Sequence, residues 1–251
     1  MSGVTGRVVL VTGGSRGIGR AAAALLATRG AKVMCAARSL PDEIDERVQY
    51  TEGDLGTPEG CAAVVADTTQ RLGPVEVLVC NHGLGSAHER VVWEQSDADW
   101  SESLRVNLDG PFYLSKLVLP GMIAASYGRV VYTSSTAAVA AESAGSAYNS
   151  SKAGLLGLMR SVATDGGPHG VTSNAVLPGW VRTEMAERSA RQEAKDRNIS
   201  PEQVWEERAA LYPAGRVATS EEVAEVIAFL ASEESSGVSG ESIRVALGSM
   251  F

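Results

Sequence analysis

A tyrosine and a lysine lie four residues apart in the segment SAYNSSKAG, residues 146–154. On a helix four residues make just over one turn, so Tyr148 and Lys152 would share a face and their polar groups could meet. A free phenol has a pKa of about 10 and is a weak acid or base at neutral pH. A positive charge about 4 Å away, at an effective dielectric constant near 20, would stabilise the phenolate by roughly 4 kcal/mol. The pair could therefore be a general acid and the cation that tunes it.

The same spacing also occurs on ordinary helix surfaces, where such a pair contributes only a few tenths of a kcal/mol. The elements around Tyr148 and Lys152 must decide between these two interpretations. Their order along the chain is a short β-branched apolar run followed by a helical run, repeated, which is typical of parallel βαβ units. Seven strands are predicted, in the segments 7–14, 31–38, 48–55, 75–83, 128–135, 171–179 and 240–247. We therefore predict an α/β fold, a doubly wound parallel sheet of Rossmann type in a single domain spanning residues 1–251.

One region departs from this alternation of strands and helices. Residues 182–216 carry many charges and few β-branched residues, with Pro201 and Pro213 as helix breakers. We expect one or two helices laid over the sheet as a lid or an interaction surface, and we expect substrate choice to lie there.

Glycines cluster in VTGGSRGIGRAAA, between the first predicted strand and the first helix. Glycine lets the backbone fold tightly and approach a pyrophosphate without a Cβ in the way, while the helix N-terminus offers free N–H groups and a positive dipole. The position of Gly13, Gly14, Gly17 and Gly19 after the first strand predicts a dinucleotide site.

Two arginines bear on which dinucleotide is bound. A free ribose 2′-hydroxyl is met by Asp or Glu at the end of the second strand, but the segment CAARS has Ala37 there, followed by Arg38. Arg16 lies inside the glycine loop and could reach the same place. Guanidinium groups match phosphate geometry, so NADPH is favoured over NADH. The alternative is that both are ordinary surface arginines.

Composition excludes several other classes. The formal net charge of −8 and the absence of a Lys/Arg cluster argue against nucleic-acid binding. No apolar run reaches the length needed to span a bilayer, and the N-terminus lacks the pattern of a signal peptide. Cys35, Cys61 and Cys80 are odd in number and widely spaced, which predicts buried thiols in a reducing cytoplasm, with no disulfide framework and no metal site.

The glycine spacing Gly-x-x-x-Gly-x-Gly, together with Tyr-x-x-x-Lys thirteen residues after Ser135, resembles the short-chain dehydrogenase/reductase family. The resemblance implies that Tyr148 is the general acid/base and that Ser135 is a second donor to the carbonyl oxygen. It implies that Lys152 lowers the tyrosine pKa and binds the nicotinamide ribose. Asn107, in the segment NLDG, corresponds to the family's fourth catalytic residue, which helps to hold a water.

The same resemblance implies a set of cofactor-binding residues along the strand ends. They are Gly13, Ser15, Arg16, Gly17, Ile18, Gly19, Arg38, Asp54, Leu55, Asn81, Gly83, Tyr148, Lys152, Pro178, Gly179, Val181 and Thr183. The segment CNHG departs from the family's Asn-Asn-Ala-Gly at Cys80 and His82. We interpret His82 as a substituted structural position.

These observations predict an NADPH-dependent ketoreductase acting on a small-molecule carbonyl substrate, similar to 3-oxoacyl carrier-protein reductases and polyketide ketoreductases. By resemblance the protein would form a homotetramer or homodimer through helices flanking the active site. One alternative is an NAD-dependent alcohol or hydroxy-acid dehydrogenase, which would bind NADH more tightly. Another is a non-catalytic dinucleotide-binding sensor, which would have no need to keep Tyr148 and Lys152.

Overall fold

The computed structural model describes residues 3–41, 43–85, 90–141 and 143–249. Its centre is one parallel sheet of seven strands in the order β3-β2-β1-β4-β5-β6-β7. The strands are β1 (Val8–Thr12), β2 (Lys32–Ala37), β3 (Val48–Glu52), β4 (Val77–Cys80), β5 (Gly128–Thr133), β6 (Val171–Pro178) and β7 (Ser242–Val245). All seven predicted strands are present, and the doubly wound Rossmann-type sheet is confirmed.

Eight α-helices among the described residues connect and cover the strands. They are α1 (Gly17–Thr28), α2 (Pro58–Leu72), α3 (Asp97–Leu104), α4 (Gly110–Ala124), α5 (Ser146–Gly166), α6 (Glu184–Arg197), α7 (Pro201–Ala210) and α8 (Ser220–Leu230). In this part of the chain no helix is both long and apolar enough to cross a membrane.

The alternation of side chains along a strand divides the core between the two faces of the sheet. In β1, Val9 and Val11 lie in a core with Leu26 of α1 and Ile227 of α8. Leu10 points the other way, into a second core formed with α2, α4 and α5. The central strands β1 and β4 are buried on both faces, and Val8–Val11 of β1 and Val77–Cys80 of β4 are therefore continuously apolar rather than alternating.

The strand order reverses between β1 and β4, since β2 and β3 lie on one side of β1 while β4 and β5 lie on the other. In such sheets the crevice beyond the carboxyl ends of the strands, at the reversal, is the usual ligand site. The glycine turn follows β1 and the segment CNHG begins at the last residue of β4, so both lie at this point.

The predicted excursion folds as the two helices α6 and α7. Ala186, Ala190 and Ala194 recur at one-turn spacing on α6 and pack against Val204 and Trp205 of α7 as a small separate core. The buried guanidinium of Arg208 lies 3.6 Å from the ring centre of Trp180 and 5.0 Å from that of Trp205. The two helices thus hold together through contacts largely independent of the main sheet.

Candidate active site

The glycine turn after β1 needs glycine for steric reasons. Gly13 and Gly17 have φ of 65° and 52°, in the left-handed region that side chains disfavour. A Cβ on Gly19 would come 2.2 Å from the Gly13 carbonyl oxygen. The turn therefore brings the start of α1 close against the end of β1.

The N-terminus of α1 has no side-chain cap. The side chain of its N-cap residue Arg16 has no acceptor atom for the N–H groups of the first turn, whereas Thr57 and Thr183 cap α2 and α6 in the usual way. The first N–H groups of a helix need acceptors from outside the helix. An anion such as a pyrophosphate fits the free end of α1, and the glycine turn gives it access.

Thr12, the last residue of β1, joins the two loops at the sheet reversal. Its Oγ1 accepts a hydrogen bond from the Asn81 backbone N–H at 3.0 Å and lies 2.7 Å from His82 Nδ1. The Asn81 side-chain amide in turn donates to the Gly13 carbonyl at 3.3 Å. Asn81 is therefore committed to shaping the glycine turn.

His82 is held by Thr12 on one side and packs against the start of α4 on the other. Part of the residue reaches solvent, but its Nε2 is buried and has no hydrogen-bond partner among the described residues. Burial of the ring, with the nearby Lys152 charge, lowers the pKa of His82 to about 3. The ring is neutral at physiological pH and is therefore poorly suited to proton transfer there.

The carboxyl end of β5 and the first turns of α5 are joined around Lys152. The Lys152 ammonium donates to the Thr133 carbonyl at 3.0 Å, and the Ser134 hydroxyl donates to the Lys152 carbonyl at 2.9 Å. Ser135 follows directly, and its Oγ accepts the Ala137 backbone N–H at 3.1 Å. This bond fixes the Ser135 oxygen and leaves its proton for another acceptor.

Tyr148 and Lys152 do share a face of α5. The Lys152 Nζ lies 5.7 Å from the centre of the half-buried Tyr148 ring. Lys152 is only 5% exposed, and burial lowers the pKa of its ammonium to about 8. An exposed surface pair would show neither this burial nor this shift.

Asn107 lies in a π-helical turn, Arg105–Asp109, between α3 and α4, and is fully buried. Its Oδ1 accepts the Leu84 N–H at 2.7 Å, and its Nδ2 donates to the Leu84 carbonyl at 3.1 Å and to Ser151 Oγ at 3.0 Å. Ser151 Oγ donates to the Tyr148 carbonyl at 2.8 Å. The amide thus ties the loop after β4 to the helix that carries the tyrosine.

At the cofactor edge, Arg38 is exposed and forms no hydrogen bond or ion pair within the described part of the chain. Arg16 instead contacts Glu184 at the start of α6, with Nη1 3.1 Å from Oε2. Asp54 accepts the Gly56 N–H at 3.0 Å and pairs with Arg105 at 3.1 Å. The Gly56 N–H, followed by Arg105, lowers the pKa of Asp54.

The remaining predicted cofactor residues lie near the carboxyl ends of the strands or in the segments that follow them. The Gly179 N–H donates to the Val245 carbonyl at 3.1 Å, and Val181 bridges to Ala218. Thr183 caps α6, and its methyl group would lie 3.1 Å from a Cβ on Gly17, so it lies against the glycine turn. Leu55 is buried beneath the site. The others, Ser15, Ile18, Gly83 and Pro178, lie at the turns or strand ends already described.

Comparison with known proteins agrees with this geometry. A family model described as enoyl-(acyl carrier protein) reductase matches residues 13–249. The 3-oxoacyl-[acyl-carrier-protein] reductase of Vibrio cholerae is 34% identical over 246 residues, covering 96% of each chain. The chain belongs to the short-chain dehydrogenase/reductase family.

Solved structures of other family members superpose on this short-chain dehydrogenase/reductase over most of its length. An actinorhodin polyketide ketoreductase variant with NADPH gives a TM-score of 0.87 at 29% identity, covering 96% of each chain. The ligand-free aldohexose dehydrogenase of Thermoplasma acidophilum gives 0.92 at 32% identity, covering 98% of this chain and 95% of that one.

Three residues of this reductase site were not singled out by the sequence. Ser151 forms hydrogen bonds with both Asn107 and Tyr148. Glu184 forms an ion pair with Arg16, and Thr12 connects the two loops at the sheet reversal. Spacing alone carries no signal for the Ser151–Asn107 contact or the Glu184–Arg16 contact, since each joins segments far apart in the chain. Thr12 stands at the start of the glycine motif TGGSRGIG, but the motif does not show that its side chain connects the two loops.

Gly83→Ala is expected to lower kcat about tenfold without unfolding the protein. Its Cβ would lie 3.0 Å from Asn107 Oδ1 and 3.4 Å from Lys152 Nζ, and displacing reactive groups by a few tenths of an ångström costs about this much. Gly237→Ala is the control, because no atom of the described residues beyond its chain neighbours lies within 4 Å of its Cβ position. Steady-state rates and melting temperatures of both variants provide the test, and full activity of Gly83→Ala would contradict the close packing at this position.

Proposed function

We propose that this short-chain dehydrogenase/reductase is an NADPH-dependent ketoreductase that interconverts a ketone and a secondary alcohol. The observation that carries the proposal is the buried Lys152 ammonium beside Tyr148, at the carboxyl edge of the sheet where α1 also begins, without a side-chain cap, after the glycine turn. The carbonyl reductases among its relatives support the same reaction class.

Tyr148 is the proposed proton donor to the carbonyl oxygen, which gains negative charge as the carbon is reduced. Ser135 would donate a second hydrogen bond to that oxygen. Its oxygen is already fixed by the Ala137 N–H, so its hydroxyl proton is available without further ordering. In the reverse direction Tyr148 would accept the proton of the alcohol.

Lys152 is proposed to lower the pKa of the Tyr148 phenol. A unit charge about 6 Å from the phenolate, at an effective dielectric constant near 20, stabilises it by about 3 kcal/mol, or about two pKa units. A tyrosine starting near pKa 10 needs about three units to work at neutral pH. The remaining unit is assigned to the positive ring of the oxidised cofactor.

Asn107 is the proposed organiser of proton return, but its amide is already occupied by Leu84 and Ser151. A water relay through this residue would therefore use its main-chain carbonyl. The side chain acts by holding the loop after β4 and the Tyr148 turn in register.

The residues of the crevice fit a dinucleotide with a 2′-phosphate. When bound, the cofactor supplies the hydride. The uncapped start of α1 would hold the pyrophosphate, Lys152 the nicotinamide ribose, and Arg38 with Arg16 the 2′-phosphate. Within the described residues Arg38 makes no hydrogen bond or ion pair, although its charge helps to lower the pKa of Asp54 and of Glu102, whereas Arg16 must leave Glu184.

The two arginines give a testable cofactor preference. Arg38→Ala is expected to weaken NADPH binding at least about tenfold and NADH binding less than about twofold, because only NADPH carries the 2′-phosphate. Glu184→Gln is expected to tighten NADPH binding about two- to fivefold, since it frees Arg16 from an exposed ion pair. Fluorescence titration of both cofactors measures these constants.

Glu187→Gln is the matched control for Glu184→Gln. Glu187 also lies in the first turn of α6 but pairs with Arg182, so its loss should leave both cofactor affinities unchanged. A wild-type preference for NADH would overturn the NADPH assignment and favour the alternative of an NAD-dependent dehydrogenase.

The helices α6 and α7 are proposed to cover the substrate. Met185 of α6 reaches the loop after β4, where its Sδ would lie 3.1 Å from a Cβ on Gly85. Val139 and Leu211 are about half exposed, at 48% and 50%. These side chains could form an apolar wall for the substituents of a ketone, such as a 3-oxoacyl thioester.

Assembly and location remain predictions. The helix α4 exposes Phe112 and Leu117 at 47% and 40%, which supports pairing into a homodimer or homotetramer through helices beside the active site. The free, buried thiols Cys35, Cys61 and Cys80 support a reducing, cytoplasmic setting.

The decisive experiment is a panel of ketones with NADPH as the only reductant. Acetoacetyl-coenzyme A and a cyclic diketone would be followed by loss of NADPH absorbance, with product chirality determined by chromatography. Turnover of a ketone by wild type but not by Tyr148→Phe would support the proposal. No turnover across the panel, with intact NADPH binding, would favour the non-catalytic sensor.

A further inference from the structure

A second cavity lies at the opposite edge of the sheet from the candidate active site. It has a volume of about 570 Å³ and is formed where β5 and β6 begin and where the chain approaches β7. Its polar lining comprises Arg129, Arg160, Thr164, Thr172, Ser236 and Ser239. The cavity lies at the start of β5, whereas Ser135 follows the end of that strand. At a rise of about 3.3 Å per residue, the whole length of β5 separates the cavity from Ser135.

Arg129 is a buried cation without a carboxylate partner among the described residues. It is 5% exposed, and its donors go to main-chain carbonyls, with Nε 3.1 Å from the Ser232 oxygen and Nη1 2.9 Å from that of Gly128. A longer contact of 3.4 Å joins Nη1 to the Gly170 carbonyl. A buried charge is normally balanced by an opposite charge.

The acidic side chains near the Tyr127 ring, Glu76 and Glu233, are already paired with another arginine. The Tyr127 ring contacts both Arg129, at 4.6 Å from the ring centre, and Arg7, at 3.7 Å. Arg7 pairs with both Glu76 and Glu233 at 2.6 Å. The charge of Arg129 is therefore left to be balanced from the cavity side.

The rest of the lining also favours an anion. Arg160 donates one hydrogen bond, from Nε to the Leu156 carbonyl of its own helix at 3.0 Å. Thr172 is 7% exposed and its Oγ1 has no hydrogen-bond partner among the described residues. Ser239 accepts the Ser173 N–H at 3.3 Å and keeps its proton to donate. In the part of the chain that the structure describes, no acidic side chain lines the cavity, although the full sequence carries a net charge of −8.

We propose that this cavity binds a small phosphate-bearing anion, such as an organic phosphate or diphosphate, at a site separate from the cofactor crevice. Two guanidinium groups and several hydroxyl donors match the geometry and charge of phosphate oxygens. The volume exceeds that of a single inorganic phosphate and is within the usual range for small-ligand sites. The inference does not depend on the proposed reaction, but its test rests on NADP⁺ binding at the proposed cofactor site.

The test is calorimetric titration of the full chain with pyrophosphate in the presence of saturating NADP⁺, which blocks the phosphate-binding glycine turn. We expect one site whose Kd weakens at least about fivefold in Arg160→Ala and whose binding heat disappears in Arg160→Glu. Arg160 is an exposed helix residue, so these variants should fold, whereas changes at Arg129 risk unfolding. Retained NADP⁺ binding would show that each variant is native.

Arg191→Ala is the matched control, since it removes the same charge from an exposed position on α6 that does not line the cavity. Its pyrophosphate affinity should equal that of wild type. The proposal is overturned if wild type shows no binding under NADP⁺ saturation, if both Arg160 variants bind like wild type, or if Arg191→Ala weakens binding as much as Arg160→Ala. Citrate as a second titrant distinguishes phosphate from carboxylate recognition, and tighter citrate binding would also contradict the proposed ligand class.

Discussion

Tyr148→Phe is expected to lower kcat at least about 1000-fold while leaving the NADPH dissociation constant within about twofold of wild type. The substitution removes the proposed proton donor, and positioned general acids contribute factors of about 100 to 10,000. It keeps the aromatic ring whose centre lies 5.7 Å from Lys152 Nζ, and it leaves the Ser151 bond to the residue-148 carbonyl in place. Single-turnover rates with saturating ketone, combined with cofactor titration, provide the measurement.

Tyr113→Phe is the control for this experiment, because Tyr113 lies on α4 and packs beside the core formed with α5 rather than at the carboxyl edge of the sheet. It should retain near wild-type rates. A Tyr148→Phe enzyme with near-normal turnover would show that the proton comes from elsewhere, and the proposed role of Tyr148 would be wrong. If its rate fell but NADPH binding fell equally, Tyr148 would instead be a binding residue.

Much of this architecture could be predicted because it depends on local patterns. Several strands are short, largely apolar runs, and several helices have a start signal in the sequence, such as Pro58 after the capping Thr57. The glycine turn, Ser135, Tyr148 and Lys152 were recognisable because the chemistry requires fixed spacings within or next to single elements. The carboxyl ends of parallel strands then bring these segments to one edge of the sheet.

The features that could not be predicted depend on contacts between distant segments. The π turn that buries Asn107 has no pattern of its own in the sequence. The hydrogen-bond partners of the Asn107 side chain, Leu84 and Ser151, come from two other segments of the chain. The Arg16 contact with Glu184 exists only because α6 folds back over the glycine turn. Such contacts follow from the tertiary arrangement rather than from the propensities of either residue.

His82 shows how a departure from a family pattern can be accommodated. The imidazole of His82 replaces the methyl group of the family's usual alanine. Thr12 holds the ring through Nδ1, and Nε2 would lie 2.8 Å from a Cβ on Gly110. Glycine at position 110 leaves the space for this ring. The sequence interpretation of His82 as a structural position agrees with this packing and with the strongly lowered pKa of its ring.

Lys152→Met is expected to abolish useful activity and yet make the cofactor-free protein more stable at pH 7. Burial lowers the pKa of Lys152 from 10.5 to about 8, so keeping the ammonium charged in the folded protein costs roughly 3 kcal/mol. Methionine keeps the length of the chain without the charge, but it removes the hydrogen bond to the Thr133 carbonyl, which costs about 1 kcal/mol. We expect the free energy of unfolding to rise by about 1–2 kcal/mol.

The pH dependence gives this prediction a definite sign. The destabilisation of wild type by Lys152 is fully present below the folded pKa of about 8, because both states are then protonated. Between about pH 8 and 10.5 the unfolded chain still binds the proton that the folded protein has lost, so wild-type stability rises with pH in that window relative to the variant. The stability advantage of Lys152→Met should therefore be largest at pH 7 and nearly absent above pH 10.5.

Urea unfolding of wild type, Lys152→Met and the exposed control Lys195→Met at pH 7 and pH 10, all without cofactor, measures these differences. Lys195→Met should change stability by less than about 0.5 kcal/mol at either pH. A Lys152→Met protein less stable than wild type at pH 7, with no change in its pH dependence, would show that the ammonium is well solvated or paired. The predicted combination of lost turnover and gained stability would instead mean that the fold bears the cost of a buried charge because catalysis requires it beside Tyr148.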